Sequence, residues 1–173
     1  VLNLDCNFAC VYCYEGGMKG NHYMTPQTAD RVLDFIRSRF TSQKKKLIID
    51  FYGGEPLLSR NLIRHIASAA RDFARQKGAA FSFSLVTNGS LLTRKTAEEL
   101  VRVGLDRVRI TLDGPAGTHN LTRPFKSGAA SFETLVNNIR NTWDLVKISI
   151  GGNFEKHNYR SFVKLLDYLK ATG

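Results

Sequence analysis

Several features are scarce or missing in this sequence of 173 residues, and each gap argues against a class of protein. No apolar run approaches the ~18 residues that a membrane-spanning helix needs, which argues against a membrane protein. No basic stretch followed by an apolar one opens the sequence, so no secretion signal is visible and we expect a cytoplasmic location. Three cysteines are too few for the disulfide framework of a small secreted domain.

Acidic residues are also in short supply, although the composition is otherwise that of a globular domain. The 15 Asp and Glu residues face 25 Lys and Arg residues, which gives a net charge of +10. An excess of this kind can indicate an anionic partner such as nucleic acid. Because the basic residues are spread along the chain, we favour a solvated surface and keep RNA binding as the weaker alternative.

Apolar periodicity predicts strands that alternate with helices. Short apolar or alternating runs predict five strands, at residues 1–5, 47–52, 80–86, 107–112 and 145–150. Helices with an apolar stripe follow them, beginning at about Thr25, Ser59, Thr93, Ser131 and Asn158. This alternation indicates a parallel sheet, either open or closed into a complete or partial barrel. The run LIIDFY at 47–52 is nearly continuous, so we expect that strand to be covered on both faces.

The two ends of the sequence both fall at the boundaries of predicted elements. The sequence opens inside a predicted strand and stops at Gly173, a residue suited to end a helix. We therefore expect residues 1–173 to be an incomplete domain that stops before a further strand, and a fragment of a longer protein.

Polar and glycine-rich clusters follow the carboxyl end of each predicted strand. The cysteines follow the first strand, and the later clusters are GGEP at 53–56, TNG at 87–89, DGP at 113–115 and GGN at 151–153. In barrels and open α/β sheets alike, ligands bind at that edge. Although these residue types are also ordinary in loops, five such clusters on one edge favour a binding site.

All the cysteines of the chain, Cys6, Cys10 and Cys13, fall within one short loop. Thiolates are soft ligands that suit zinc, copper(I) or iron–sulfur clusters. Structural zinc needs a fourth ligand, which His22 could supply, although the spacing matches no common zinc pattern. A 4Fe-4S cluster usually takes four cysteines, so with three of them one iron would be open to a small-molecule ligand. The spacing alone leaves a non-catalytic zinc module and an iron–sulfur centre as alternatives.

Three motifs together resemble the radical S-adenosylmethionine (radical SAM) enzymes: CNFACVYC at 6–13, GGEP at 53–56 and TNG at 87–89. The resemblance implies a partial α/β barrel and a 4Fe-4S cluster held by Cys6, Cys10 and Cys13. It also implies that the open iron binds S-adenosylmethionine (SAM), whose reductive cleavage gives a 5′-deoxyadenosyl radical that abstracts hydrogen from a substrate. Cores of this family usually have six βα units, so the five predicted here imply truncation before the sixth strand.

The resemblance also implies which residues meet SAM. Tyr12 should lie near the adenine, and Gly53, Gly54 and Glu55 should meet the methionine amino group. Asn88 should end the third predicted strand close to the cofactor.

The stretch TLDGPAGTHNLTRPF at 111–125 resembles the anaerobic sulfatase-maturase and peptide-maturase branch, often called SPASM proteins. By this resemblance Thr111 and Arg123 should contact SAM, and a guanidinium can pair with its carboxylate through two hydrogen bonds. Asn153 is similar to a polar residue near the adenosine in relatives. The branch implies a peptide or protein substrate and an external electron donor of the flavodoxin or ferredoxin type. A radical SAM enzyme of cofactor biosynthesis or RNA modification is the alternative.

Overall fold

The structure, a computed structural model, describes residues 1–18, 20–41, 43–156 and 158–171. Helices and strands alternate in the order α1 (Pro26–Arg39), β1 (Lys46–Phe51), α2 (Arg60–Gln76), β2 (Ala80–Thr87), α3 (Arg94–Val101), β3 (Leu105–Thr111), α4 (Ala116–Thr122), α5 (Phe132–Arg140), β4 (Lys147–Gly151) and α6 (Ser161–Ala171). The four strands of the described part form one parallel sheet in the order β1-β2-β3-β4. The sheet stays open, which confirms the prediction of a partial α/β barrel.

Residues 1–5 do not form the predicted first strand. Asn3 makes an isolated antiparallel bridge with Tyr23, and three backbone hydrogen bonds of 2.7–3.0 Å join residues 2–5 to residues 52–55. The prediction of a fifth strand is therefore wrong for the described residues, because the segment meets the irregular loop after β1 rather than β1 itself. That contact still brings the segment to the carboxyl end of the sheet.

One face of the sheet packs against the helices and forms the core. Fully buried side chains of β2 and β3, such as Leu85, Val108 and Ile110, belong to the same apolar cluster as Ile63 of α2 and Leu100 of α3. Complete burial of one such aliphatic side chain contributes about 1.5–3 kcal/mol. This layer therefore fixes the strands, and with them the positions of the loops that follow them.

The other face of the sheet is open, and the expectation that β1 is covered on both faces is wrong. Ile48 is 56% exposed and Asp50 is exposed, whereas Phe51 is buried. The open face is largely polar, and Asp50 accepts a hydrogen bond from Ser84 of β2. The sequence of β1 suggests burial on both faces because Ile48 is an apolar residue on this largely polar face.

Four helices, α1, α2, α3 and α5, begin directly after the predicted residues Thr25, Ser59, Thr93 and Ser131, whereas α6 begins at Ser161 and not at Asn158. Thr25 accepts a hydrogen bond from the Thr28 backbone N–H (3.2 Å) at the start of α1, and Pro26 takes the first helical position. A side-chain cap of this kind contributes about 1 kcal/mol. Within the described ranges, no helix is long and apolar enough to cross a membrane.

The short helix α4 lies where the sequence carries only loop signals. Its residues, AGTHNLT, have mostly low intrinsic helix propensity. His119 is fully buried and packs edge-on against Phe132 of α5, with ring centroids 5.7 Å apart. The Arg123 backbone N–H closes the last turn by donating to the His119 carbonyl (2.8 Å). Tertiary packing against α5 therefore stabilises a helix that propensity alone does not predict.

Candidate active site

The polar loops meet in a cavity of about 410 Å³ at the carboxyl ends of the strands. Ten of the eleven predicted site residues line it: Cys6, Cys10, Tyr12, Cys13, Gly53, Gly54, Asn88, Thr111, Arg123 and Asn153. The parallel sheet brings the cysteine loop and the loops after all four strands to this edge. A larger groove of about 860 Å³ lies near the starts of α1, α2 and α3, but none of the predicted site residues lines it.

The cysteines contribute three thiols to this one cavity. Cys6 is buried, whereas Cys10 and Cys13 are half-buried, and the Cys13 backbone N–H donates to the Cys10 carbonyl (3.2 Å) in a tight turn. Among the described residues, no three His, Cys, Asp or Glu side chains are grouped to hold a single metal ion. A metal ion needs its ligands around one point, whereas the thiolates of a cluster bind separate irons. Three soft donors on one cavity therefore fit an iron–sulfur cluster.

The cysteine loop is anchored to the segment that carries Arg123. Three backbone hydrogen bonds of 2.9–3.0 Å join residues 7–11 to residues 122–126. The fully buried Phe8 packs edge-on against Phe125 at 4.8 Å, and the Arg123 guanidinium lies 5.8 Å from the centre of the Phe8 ring. These contacts therefore fix the positions of the thiols and of the Arg123 guanidinium relative to each other across the cavity.

Gly53 and Gly54 allow the loop after β1 to lie directly against residues 3–5. A Cβ on Gly54 would stand 2.2 Å from the Asp5 carbonyl oxygen, and one on Gly53 would stand 2.7 Å from the Asn3 carbonyl oxygen. Any side chain here would push apart two backbones, one of which leads into Cys6.

Glu55 is the one predicted site residue that does not line the cavity. It is fully buried, and its carboxylate accepts hydrogen bonds from the Leu57 backbone N–H (2.9 Å), the Thr87 hydroxyl (2.6 Å) and the Asn88 backbone N–H (2.8 Å). Burial raises the pKa of Glu55, although these hydrogen bonds oppose the shift. The carboxylate braces the end of β2, and its contact with a methionine amino group remains a prediction.

Asn88 is held beside Cys6 by its neighbours. Its side-chain N–H group donates to the Asn7 side-chain oxygen (2.8 Å) and lies 3.8 Å from the Cys6 sulfur. Its side-chain oxygen accepts from the Ser90 backbone N–H (2.9 Å) and hydroxyl (2.7 Å). The amide is therefore oriented toward the cysteine loop, at the end of β2 where the sequence predicted it.

Tyr12, Asp113 and Arg123 form a chain of hydrogen bonds at the cavity wall. The Tyr12 hydroxyl donates to Asp113 Oδ2 (2.6 Å) and accepts from Arg123 Nη1 (2.8 Å). Burial raises the pKa of Tyr12, with Arg123 opposing the shift, so the phenol stays protonated at neutral pH. Burial alone would lower the pKa of Arg123, but Cys10, Tyr12 and Asp113 raise it. A cation is thereby fixed in the cavity.

Thr111 and Asn153 bring further polar groups to the cavity. Thr111 is the half-buried last residue of β3, and Asn153 is an exposed residue just after β4. The Asn153 backbone N–H donates to Asp113 Oδ1 (2.9 Å), so the loop after β4 is tied to the loop after β3.

Some cavity residues were not singled out from the sequence. Arg109 lines the cavity from the open face of β3, and the alternation in RVRIT could have signalled it. Glu15 and Tyr52 also line the cavity, and no spacing or motif marks them. Asp113 belongs to a motif that the sequence shows, but its hydrogen bonds depend on residues about 10 to 100 positions away.

Burial of His119 predicts a loss of stability in mild acid. Burial lowers the pKa of His119 to about 4, and Arg123 adds to the shift. Between pH 6.5 and 4 the unfolded chain therefore binds a proton at this side chain that the folded chain does not, so folding weakens as pH falls. The loss is on the order of 3 kcal/mol and is complete below about pH 4.

The substitution His119→Gln removes this titration and provides the test. In urea unfolding, we expect the parent to be the more stable form at pH 7 and its advantage to shrink as the pH falls from 6.5 to 4. A constant difference over that range would show that folding does not shift the pKa of His119.

The fold is an open α/β barrel in which thiols, a glycine-lined loop and a buried guanidinium surround one cavity. This arrangement defines a class of protein that can hold a metal cluster beside a small ligand with a carboxylate group. The family model of the Radical SAM superfamily matches residues 2–171. The chain therefore belongs to the radical SAM superfamily, which confirms the resemblance seen in the sequence. Members of this superfamily are enzymes, and they use a 4Fe-4S cluster and SAM.

Relatives of this chain include proteins with different names. The probable GTP 3′,8-cyclase of Pyrococcus horikoshii is 36% identical over 113 residues, which are 65% of this chain and 32% of the relative. The radical SAM cyclopropyl synthase TigE of Paramaledivibacter caminithermalis is 27% identical over 96% of this chain and 34% of its own length.

A solved structure of similar fold is that of histidine-tagged anSMEcpe, an anaerobic sulfatase maturase, with bound AdoMet. Its TM-score is 0.85 at 22% identity, over 99% of this chain and 46% of that chain. At this identity the likeness shows the fold. The chain spans less than half the length of each of these three proteins.

Proposed function

We propose that residues 1–173 are the core domain of a longer radical SAM enzyme, with Cys6, Cys10 and Cys13 as catalytic ligands of its 4Fe-4S cluster. One observation carries the proposal: the three thiols share a cavity with the Arg123 guanidinium and the Gly53-Gly54 loop. When bound there, the cluster supplies the electron that cleaves SAM to the 5′-deoxyadenosyl radical for hydrogen abstraction. The chain covers only about a third of the length of the two relatives named above, which supports a longer parent protein.

The chain's own residues would bind and orient SAM. Arg123 lines the cavity and offers a fixed positive charge, and a guanidinium can pair with the carboxylate of SAM. Gly53 and Gly54 have no side chains, so their backbone groups can contact the methionine amino group of SAM. Thr111 adds a hydroxyl.

Other residues would receive the adenosine part of SAM or hold the cluster in place. Tyr12 and Asn153 also line an adjoining cavity of about 750 Å³, which gives room for the adenosine beside the thiols. Asn88 would hold Cys6 in place, and Glu55 would hold the strand end that carries Asn88.

For the substrate, we infer a peptide or protein. Support comes from residues 111–125, which resemble the peptide maturases and supply Thr111 and Arg123 to the cavity. We also propose an external electron donor of the flavodoxin or ferredoxin type, and the net charge of +10 would attract an acidic one.

A second candidate is an enzyme that acts on a nucleotide in cofactor biosynthesis. Its support is the 36% identity with the probable GTP 3′,8-cyclase. Arg109 lines the cavity as a second cation, and a guanidinium there could pair with a phosphate.

The proposal is tested by anaerobic reconstitution, with iron and sulfide, of the protein that contains this chain. We expect at least about four irons per chain, the content of one 4Fe-4S cluster, and release of 5′-deoxyadenosine after addition of dithionite and SAM. Zinc in place of iron after anaerobic purification, or bound iron without SAM cleavage, would contradict it. Stimulation of 5′-deoxyadenosine release by GTP would favour the nucleotide candidate over the peptide.

A further inference from the structure

We propose that Asp113 is a positioning residue that sets the orientation of Arg123 toward SAM, acting through the Tyr12 hydroxyl. This inference rests on the proposed function, because it assigns SAM to the cavity. Asp113 does not line the cavity, so it cannot act by touching the ligand.

The Asp113 carboxylate joins three separate segments of the chain. It is fully buried, and its Oδ2 accepts hydrogen bonds from the Tyr12 hydroxyl (2.6 Å) and the Thr122 hydroxyl (2.8 Å). Its Oδ1 accepts from the Asn153 backbone N–H (2.9 Å). One side chain therefore fixes the cysteine loop, the end of α4 and the loop after β4 relative to one another.

The Tyr12 hydroxyl passes this constraint on to Arg123. A phenolic hydroxyl has one hydrogen, and here it is directed at Asp113, so an oxygen lone pair is left for Arg123 Nη1 (2.8 Å). Arg123 is 7% exposed, and its guanidinium is further confined by the Phe8 ring. With Nη1 held, the remaining donors keep one orientation, including the Nε–H that has no partner in the described part of the chain.

Asp113 also compensates the charge of Arg123 in a buried environment. A buried cation without a nearby anion is costly, and the Asp113 carboxylate is one hydrogen-bonded group away from this guanidinium. The substitution Asp113→Asn keeps the shape but removes the negative charge. It also places an N–H group where the carboxylate accepts three hydrogen bonds, so Tyr12 and Arg123 should lose their common orientation.

A double-mutant cycle on SAM affinity provides the test. In the anaerobically reconstituted protein without reductant, we expect Asp113→Asn to weaken SAM binding by roughly 10- to 100-fold, the usual cost of losing a residue that orients a ligand-binding group. Iron content should stay at the parent value. The double variant Asp113→Asn with Tyr12→Phe should bind SAM with about the same affinity as whichever single variant binds it less tightly. The reason is that both changes break the same chain of hydrogen bonds.

Several outcomes would overturn the inference. Unchanged SAM affinity in Asp113→Asn, or fully additive losses in the double variant, would show that Asp113 does not act through Tyr12. If Asp113→Asn does not fold, Tyr12→Phe still breaks the link, and unchanged SAM affinity in that variant would overturn the inference as well. The control Asp106→Asn removes a surface partner of Lys147 from β3, the strand that precedes Asp113, and should bind SAM as the parent does. A parent protein that binds neither iron nor SAM would refute the proposed function itself.

Discussion

Replacement of Cys10 or Cys13 by alanine is expected to remove bound iron and to abolish SAM cleavage. Both thiols are half-buried, so their loss leaves the core intact, whereas Cys6 is buried and belongs to the core cluster. Within residues 1–173 there are only three cysteines, so no other thiol of this chain can take their place. Loss of a residue that merely supports a metal ligand costs 10- to 100-fold, so loss of a ligand should lower 5′-deoxyadenosine formation by more than about 100-fold.

A control variant in the cysteine loop distinguishes loss of the cluster ligands from general disruption of the loop. Val11 lies between the two cysteines and is 71% exposed, and its backbone N–H donates to the Thr122 carbonyl (3.0 Å) whatever its side chain. Val11→Ala should therefore keep the iron content of the parent. We would measure iron per chain, the visible absorbance of the cluster and the thermal unfolding midpoint. Iron retained at the parent level in both cysteine variants would refute the assignment of these thiols.

Local patterns are sufficient to predict most of the fold. Apolar periodicity marks every helix except α4, and also β2 to β4, since each buries one apolar face. Once the strands are parallel, the residues after them must meet at one edge, so the meeting of Gly54, Asn88, Thr111 and Asn153 follows from topology alone.

The features that the sequence did not predict depend on contacts between distant residues. Helix α4 forms because His119 packs against Phe132, which outweighs low propensity. Residues 1–5 have the apolar pattern of a strand, but their neighbour is a loop, so no ladder forms. Ile48 is apolar yet exposed, because the described chain supplies no second layer on that face.

The same limit applies to the candidate site. A motif can show that Glu55 belongs with Gly53 and Gly54, but not which way its carboxylate points. That direction is decided by Thr87 and by the Asn88 backbone, more than 30 residues away. The sequence therefore predicts which loops form the site, whereas the hydrogen bonds between the loops decide which residues face the ligand and which only support those that do.

Replacement of Gly54 by alanine is the second change for which we expect a large effect. A Cβ there would lie 2.2 Å from the Asp5 carbonyl oxygen and 2.7 Å from the Asp5 carbonyl carbon, far inside any real contact. Both neighbours are backbone atoms, so no side chain can turn away to make room. The Glu55 backbone N–H would also lose its 2.7 Å hydrogen bond to the Asp5 carbonyl. We expect the free energy of unfolding to fall by about 3 kcal/mol.

The displacement should also reach the cluster site, because Asp5 precedes Cys6 directly. We therefore expect Gly54→Ala to lower both the stability in urea unfolding and the iron content after reconstitution. The matched control is Gly117→Ala in α4, where a Cβ would meet no atom within 4 Å. Alanine in place of a helical glycine should raise stability there by about 0.5–1 kcal/mol. If Gly54→Ala did not lower the stability or the iron content, the backbones at Gly54 and Asp5 would not be in close contact. The inferred connection between the glycine loop and Cys6 would then be wrong.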